Sequence, residues 1–408
     1  MESYDVIIIG AGPAGLFAAL SIDTTNKKVL VLEKNKKPGK KLLLAGAGQC
    51  NITHSGNVRE FFNHYGDNGR FLKNAFNNLN NKDVIDFFEK NGLDIITYDS
   101  GKVFPKSLNS EDVLEILINK CIKNKVKIEY NTPVLETISE SDYNFKVKTL
   151  KKIYKAKNLV IATGGKSYPQ TGSSGDGYKF IKMLNHKLKK PLEALTSLDI
   201  KDFNLKDLSG ISFEKCKFSL WRNNKKIDSF NGDILITHKG LSGPGILNNS
   251  RYMYPEDIIK INFVNAENID EFRNLFLKDL NKSGKDMIKT LLKRYNLVKR
   301  FVSKILDILN INEEKLCSQL TKNERKGLIK ALTEFPFEIE NLSGFHIAMV
   351  TRGGVSLKEI SSKSLESKKI KGLFFIGEVL DIDGDTGGYN IQAAFSTGAL
   401  AAKSINKV

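Results

Sequence analysis

Cysteine is scarce in this chain. Its four residues, Cys50, Cys121, Cys216 and Cys317, lie far apart and form no CxxC pair. That excludes a disulfide framework, argues against the dithiol chemistry of disulfide reductases, and points to a reducing cytoplasm. No apolar run approaches the roughly 18 residues that a membrane helix needs, so no membrane role is expected. The N-terminus is acidic and leads straight into a strand and a Gly-rich loop, which is not the layout of a signal peptide. Internal repeats, a low-complexity tail, GxSxG and Walker A sequences are all missing. No histidine pairs with another ligand at metal-binding spacing, and Cys50 with His54 alone is too few, so no metal site is expected.

What is present fits a soluble globular protein of several domains. The 408 residues exceed the roughly 250–300 at which a single core stops growing. A 41% hydrophobic content, with 27% charged and 9% aromatic residues, excludes a mostly disordered chain. Lys+Arg number 63 against 46 Asp+Glu, a net charge of +17. Such an excess attracts phosphate. The lysine pairs at 27–28, 36–37, 40–41, 151–152, 189–190, 225–226 and 368–369 are spread over the whole length, however. An even spread argues for composition bias rather than a nucleic-acid site, while the sign keeps an RNA partner open.

Tyr4 to Ile9 is a short β-branched run that reads as a buried parallel strand. Gly10-Ala11-Gly12-Pro13-Ala14-Gly15 follows, then a helical stretch to Ile22 and a second apolar run, Val29 to Leu32, ending in Glu33. This is the β–turn–α–β unit of a dinucleotide-binding half. Gly10 allows the tight turn, Gly12 lets backbone approach a pyrophosphate, and Gly15 lets helix and strand pack closely. The helix N-terminus offers free N–H groups and the positive end of its dipole. Glu33 is placed to accept ribose hydroxyls and disfavours a 2′-phosphate.

Helical periodicity is expected over 70–91 and 110–124, and strands over 126–130, 134–138 and 145–149. A second glycine-punctuated strand ends in Ala162-Thr163-Gly164-Gly165. Residues 196–265 alternate like antiparallel sheet, and 268–333 carry helical periodicity. A third glycine-punctuated strand, Leu373 to Ile376, runs into Gly377-Glu378, the turn Gly384 to Gly388, and a helix opening near Asn390. The character shifts lie near 191, 268 and 335.

Three such strands, at the start, middle and end of the chain, resemble FAD proteins of the glutathione-reductase fold. The finer segments resemble the BaiN-type, aminoacetone-oxidase-like bacterial flavoproteins. They are Gly39 to Leu43, Gly46 to Asn51, Ala162 to Gly165, Gly172 to Tyr178, Thr237 to Pro244, Val350 to Val355, and Gly377 to Gly398. Two positions depart: Gln49 stands where the family usually has Arg, and Ala45 where Ser or Thr is common. The resemblance implies an α/β architecture with a discontinuous Rossmann-like FAD-binding domain (1–190 with 344–408). An inserted antiparallel β-barrel-like domain (191–267 with 334–343) and a small helical domain (268–333) complete it.

It also implies roles. Ala11, Gly12, Pro13, Ala14 and Gly15 cradle the pyrophosphate, Glu33 holds the adenosine ribose, and Val134 meets adenine through backbone. Lys34, Lys40 and Lys41 neutralise phosphate or a flavin edge. Gly48, Thr163, Gly164, Gly377, Glu378, Asp385, Asn390, Ile391 and Gln392 lie along the rest of the cofactor. Cys50 and Asn51 flank the flavin, Cys50 as a redox-tuning thiol or as simple packing, and Tyr389 is a candidate proton donor.

The expected function is that of an FAD-dependent oxidoreductase with hydride transfer through flavin N5. Reduction of a small conjugated ketone or ene, with NADH or NADPH as transient donor, is one branch. An oxygen-dependent amine or amino-ketone oxidase is another. A third, of a different class, is an RNA-binding or tRNA-modifying flavoprotein. No second complete nucleotide-binding unit is present, so a nicotinamide must reach the flavin through the substrate cleft. Oligomeric state is left open.

Overall fold

The computed structural model describes residues 2–407. The chain divides into two compact units, Met1–Ala194 with Phe345–Val408, and Leu195–Gly344.

The first unit is built on a sheet with strand order Lys127–Glu129, Val29–Leu32, Glu2–Ile9, Ile153–Ile161, Asn144–Thr149 and Val134–Ser141. Leu373–Phe375 also pairs with Ile153–Ile161. The first four strands of that order and Leu373–Phe375 pair in parallel. Their buried stretches, Val6–Ile9, Val29–Leu32, Leu159–Ile161 and Leu373–Phe375, are wholly apolar, as expected where both faces of a parallel sheet are covered. The register brings the strand ends together: Ile9 pairs with Leu32 and with Ile161, and Ile161 with Phe375. Gly10, Glu33, Ala162 and Gly377 therefore emerge along one edge, where open α/β sheets bind ligands.

Helix Pro13–Ser21 packs against helix Tyr389–Asn406. A Cβ at Gly398 would lie 2.6 Å from the Ala14 carbonyl oxygen, so glycine there sets the close approach. The helical stretch expected over 70–91 is broken into Lys73–Asn78 and Asn81–Glu89. Asn80 causes the break. Its side chain accepts the Lys82 and Asp83 N–H groups, and Asp83 bonds back to the Asn80 N–H, a complete capping box.

The second unit holds a closed barrel with strand order Leu198–Ile200, Gly240–Ser242, Lys225–Ile236, Ser212–Arg222, Ile258–Asn262 and Phe335–Leu342. Helices Ile269–Lys282, Ile288–Lys293, Lys299–Ile308 and Lys322–Thr333 lie between its last two strands in sequence. They share one core with the barrel: the Phe213, Phe263 and Phe301 rings meet with centroids 4.6 to 4.8 Å apart. Barrel and helices thus form one unit, whereas the sequence reading separates them at 267 and 334. Among the described residues no helix is long and apolar enough to cross a membrane.

Candidate functional site

The first glycine turn discriminates between packing and binding. Gly10 adopts φ +108°, and a Cβ there would sit 2.5 Å from the Ala162 oxygen. A Cβ at Gly15 would sit 2.0 Å from the Gly10 oxygen. These two glycines answer steric needs inside the protein. Gly12 is different: it is the N-cap of helix Pro13–Ser21, and a Cβ there would meet nothing within 4 Å. Its open face and the N–H groups of the first helical turn leave room and donors for an anionic group. Pro13 occupies the first helical turn, where its missing donor costs nothing.

Glu33 is 7% exposed. One carboxylate oxygen accepts the Ala11 N–H at 2.9 Å, and the other accepts the Asn35 backbone and side-chain N–H groups at 2.8 Å. The carboxylate is thereby fixed beside the glycine turn. The Asn131 and Thr132 N–H groups bond to the Asn35 and Glu33 carbonyls, which brings the chain leading into Val134 to the same end.

At the second and third crossings the Thr163 and Ser173 hydroxyl oxygens are buried without a protein partner. Gly164 has φ +72° and would place a Cβ 3.4 Å from the Ser173 oxygen. Gly377 donates its N–H to Thr397 Oγ1 at 3.0 Å, and a Cβ there would lie 2.8 Å from the Ala14 Cβ. The first and third glycine turns thus approach each other closely. An open phosphate cradle, a fixed acid at the ribose position and orphaned hydroxyls along the same edge fit FAD.

The lysines are placed otherwise than the sequence suggested. Lys34 is paired with Asp176 at 2.5 Å and with Ser174 at 2.6 Å. Lys41 contacts both oxygens of Glu378, which also accepts the Thr351 N–H. Two of the three charges assigned to phosphate or flavin are therefore committed to carboxylates, and Lys40 is exposed. Glu378 acts as a strap between segments.

The loop Gly46 to Cys50 is strongly bent, with Gly46, Ala47, Gly48 and Cys50 all at positive φ. A Cβ at Gly48 would meet only the Leu43 oxygen, at 3.9 Å, so its face is open. Gln49 is exposed, whereas Cys50 is 0% exposed and burial pushes its thiol up to about 12. A thiol so buried and so raised favours the packing reading of Cys50 over the redox-tuning one. Asn51 accepts the Val103 N–H at 3.2 Å and lies against Gly388, the N-cap of helix Tyr389–Asn406.

Asn390 clamps the preceding turn, accepting the Gly384 N–H and donating to the Gly384 and Asp385 carbonyls. Ile391 packs partly buried against the core. Gln392 is 0% exposed; its amide bonds to Thr53, Leu79 and Ser396. Its side chain holds the helix to its neighbours, which corrects the reading that places it along the flavin.

Tyr389 is the centre of an aromatic cluster that includes two histidines. The His64 ring stacks on it at 4.1 Å and the His54 ring at 5.1 Å, while Phe61 and Tyr65 meet it edge-on. Burial, with Asp385 and Glu60 adding to it, raises the Tyr389 hydroxyl to about 12. His54 gives Nε2 to the Ser100 carbonyl, and burial holds it below the usual histidine range. His64 is the accessible member: its side chain is 38% exposed and its Nδ1 lies 3.0 Å from Asp385 Oδ2. The Asp385 N–H in turn bonds to the His64 carbonyl. Sequence spacing carried no signal for this pair, because the two residues are 321 positions apart. Among the described residues no group of three or more metal-ligating side chains occurs.

Residues 4–404 match the family described as HI0933-like protein Rossmann domain. The chain is 33% identical over 414 residues to the ribosomal RNA dihydrouridine synthase of Haemophilus influenzae, covering 100% of both chains. It is 30% identical over 405 residues to the protein of that name from Escherichia coli, covering 99% of this chain and 98% of the other. It is also 28% identical over 405 residues to the 3-dehydro-bile acid delta(4,6)-reductase of Clostridium scindens, covering 97% and 98%.

Proposed function

The chain belongs to the HI0933-like Rossmann-domain family of FAD-dependent oxidoreductases, and from that premise we propose that it reduces the C5=C6 bond of uridine in RNA. The names of the three relatives describe one chemistry on two substrate classes. Uridine becomes dihydrouridine by gaining hydrogen across a double bond conjugated to a carbonyl, and a bile-acid Δ4,6 reduction starting from a 3-ketone has the same character. In uracil the C6 atom is β to the C4 carbonyl, so hydride adds at C6 and a proton at C5. End-to-end similarity to two ribosomal RNA dihydrouridine synthases carries the reading. The sign of the +17 charge is compatible with the RNA class, although its even spread along the chain adds no weight of its own.

FAD, when bound, would supply hydride chemistry at this site, with a nicotinamide as its electron source. The protein's own residues orient and protonate. Gly12 and the first turn of helix Pro13–Ser21 would hold the pyrophosphate, Glu33 would hold the ribose, and the N-terminus of helix Tyr389–Asn406 would offer positive potential to the flavin ring. We assign the proton to His64. Asp385 holds Nδ1, which fixes the tautomer and leaves Nε2 as the nitrogen to carry a proton to and from the site. Tyr389 keeps the ring in place by stacking and stays protonated.

The test supplies deuteride-labelled NADH or NADPH to the FAD-loaded protein with RNA free of dihydrouridine. Deuterium at C6 of uridine, read by mass spectrometry, is the expected result. Unchanged RNA alongside rapid reduction of a steroidal enone would assign the chain to the small-molecule branch instead.

A further inference from the structure

We propose that the outer face of the barrel around Trp221 and Lys260, continued by the hairpin tip at 222–226, docks the RNA. The proposal rests on the RNA-substrate reading above and names the surface that would serve it.

Segment 215–232 contains five Lys or Arg residues and one acidic residue, Asp228. It forms most of the hairpin made by Ser212–Arg222 and Lys225–Ile236. Lys225 and Lys226 are exposed at its tip, directly after Asn223 and Asn224, which turn the chain at positive φ. Among the described residues, Lys225, Lys226 and Lys260 have no ion pair. Their charge is available to phosphate, in contrast to that of Lys34 and Lys41.

Charge alone describes many hairpin tips, most of them merely solvated. Aromatic faces set this one apart. Trp221, the only tryptophan, pairs in register with Ile258, and the Lys260 ammonium lies 3.8 Å from its ring centroid. The indole N–H is taken by Ser219 Oγ at 2.8 Å, so the ring's π-face is what it offers. The Trp221 ring is half-buried, and a cation held over its outward face by the ring alone is one that a phosphate or a base can displace. Tyr254, 41% exposed, carries the Arg222 guanidinium 4.6 Å over its ring. Arg222 is itself locked by Asp257 at 2.7 and 2.8 Å, so this platform is rigid. Tyr252 stacks on Phe230 at 9° between planes. An aromatic face carrying a lysine, next to two free lysines at the hairpin tip, matches single-stranded RNA, whose bases stack and whose phosphates seek cations.

The experiment measures binding of the FAD-loaded full chain to a fluorescent, uridine-containing single-stranded RNA over a salt series. Trp221→Ala is expected to weaken binding about tenfold, and Trp221→Phe to restore most of it. The double variant Lys225→Glu/Lys226→Glu is expected to lower the salt slope by about 1.4, two phosphate contacts at ~0.7 each. In all variants flavin absorbance and reduction by nicotinamide should stay as in the native protein. Native-like RNA binding by these variants would overturn the surface assignment alone. Absence of RNA binding by the native protein at low salt would overturn both this assignment and the RNA-substrate reading.

Discussion

Lys41 and Glu378 lie 337 positions apart in sequence and are joined through both carboxylate oxygens, at 2.9 and 2.7 Å. Glu378 also accepts the Thr351 N–H at 2.8 Å, so one carboxylate ties three distant segments beside the cofactor edge. Both side chains are largely covered, at 26% and 20% exposure. Lys41→Met leaves that carboxylate without its cation. It should cost about 1–2 kcal/mol in urea unfolding of the apoprotein. FAD affinity should fall with it, because the strap that is lost lies next to Gly377.

The glycine turn separates folding from binding. Gly12→Ala adds a methyl group into open space at an ordinary φ of −83°. The apoprotein should unfold at its native midpoint, while FAD binding, followed by flavin fluorescence quenching, is lost. Gly15→Ala drives a methyl group to 2.0 Å from a backbone oxygen and should yield little folded protein.

Cys50, Cys121 and Cys216 are each pushed by burial from 9.0 up to about 12. The unfolded chain releases these protons at lower pH than the folded one. Their stabilising effect is therefore complete below about pH 9 and is lost as pH rises toward 12, with a slope of about 1.4 kcal/mol per pH unit for each thiol. Cys50→Ala should reduce the steepness of this alkaline loss in urea titrations at pH 8 to 11. The same variant should leave flavin reduction by nicotinamide unchanged.

His64→Gln should slow reduction of the substrate by roughly 100- to 10,000-fold, the range of a lost general acid. Reduction of the flavin by nicotinamide should be unaffected, since that half-reaction needs no proton from the ring. Asp385→Asn, which keeps a hydrogen-bonding side chain but changes the tautomer preference, should fall between native and His64→Gln. Equal loss in both half-reactions would instead mark the pair as structural.

The parts of the fold legible in sequence are those set by local chemistry. Ile7, Val31, Val160 and Phe374 announce buried parallel strands by their side chains, and the glycines after them announce the crossings. Gly10, Gly12 and Gly15 were readable because a turn, a helix start and an acid at Glu33 follow in fixed order. What was not legible is set by distant partners. Nothing near Lys34 or Lys41 signals Asp176 or Glu378, so solvated or phosphate-binding lysine was the natural reading. His64 meets Asp385 and Tyr389 only after the sheet brings the C-terminal helix alongside residues 53–79. Gln392 sits at a helix start that suggests a ligand, yet its neighbours Thr53, Leu79 and Ser396 use up its amide. The helix over 70–91 was interrupted by a capping box that periodicity does not register. The helical insertion joined the barrel because Phe213, Phe263 and Phe301, far apart in sequence, complete one core.

The central claim, hydride transfer to uridine in RNA, is tested most directly by anaerobic single turnover. The FAD-loaded protein is reduced with one equivalent of nicotinamide and mixed with uridine-containing RNA, or with the same RNA already converted to dihydrouridine. The account predicts flavin reoxidation only with the uridine RNA, matched by one dihydrouridine formed per flavin. A flavin that stays reduced with both RNAs, and reoxidises only with oxygen or a free enone, would contradict it.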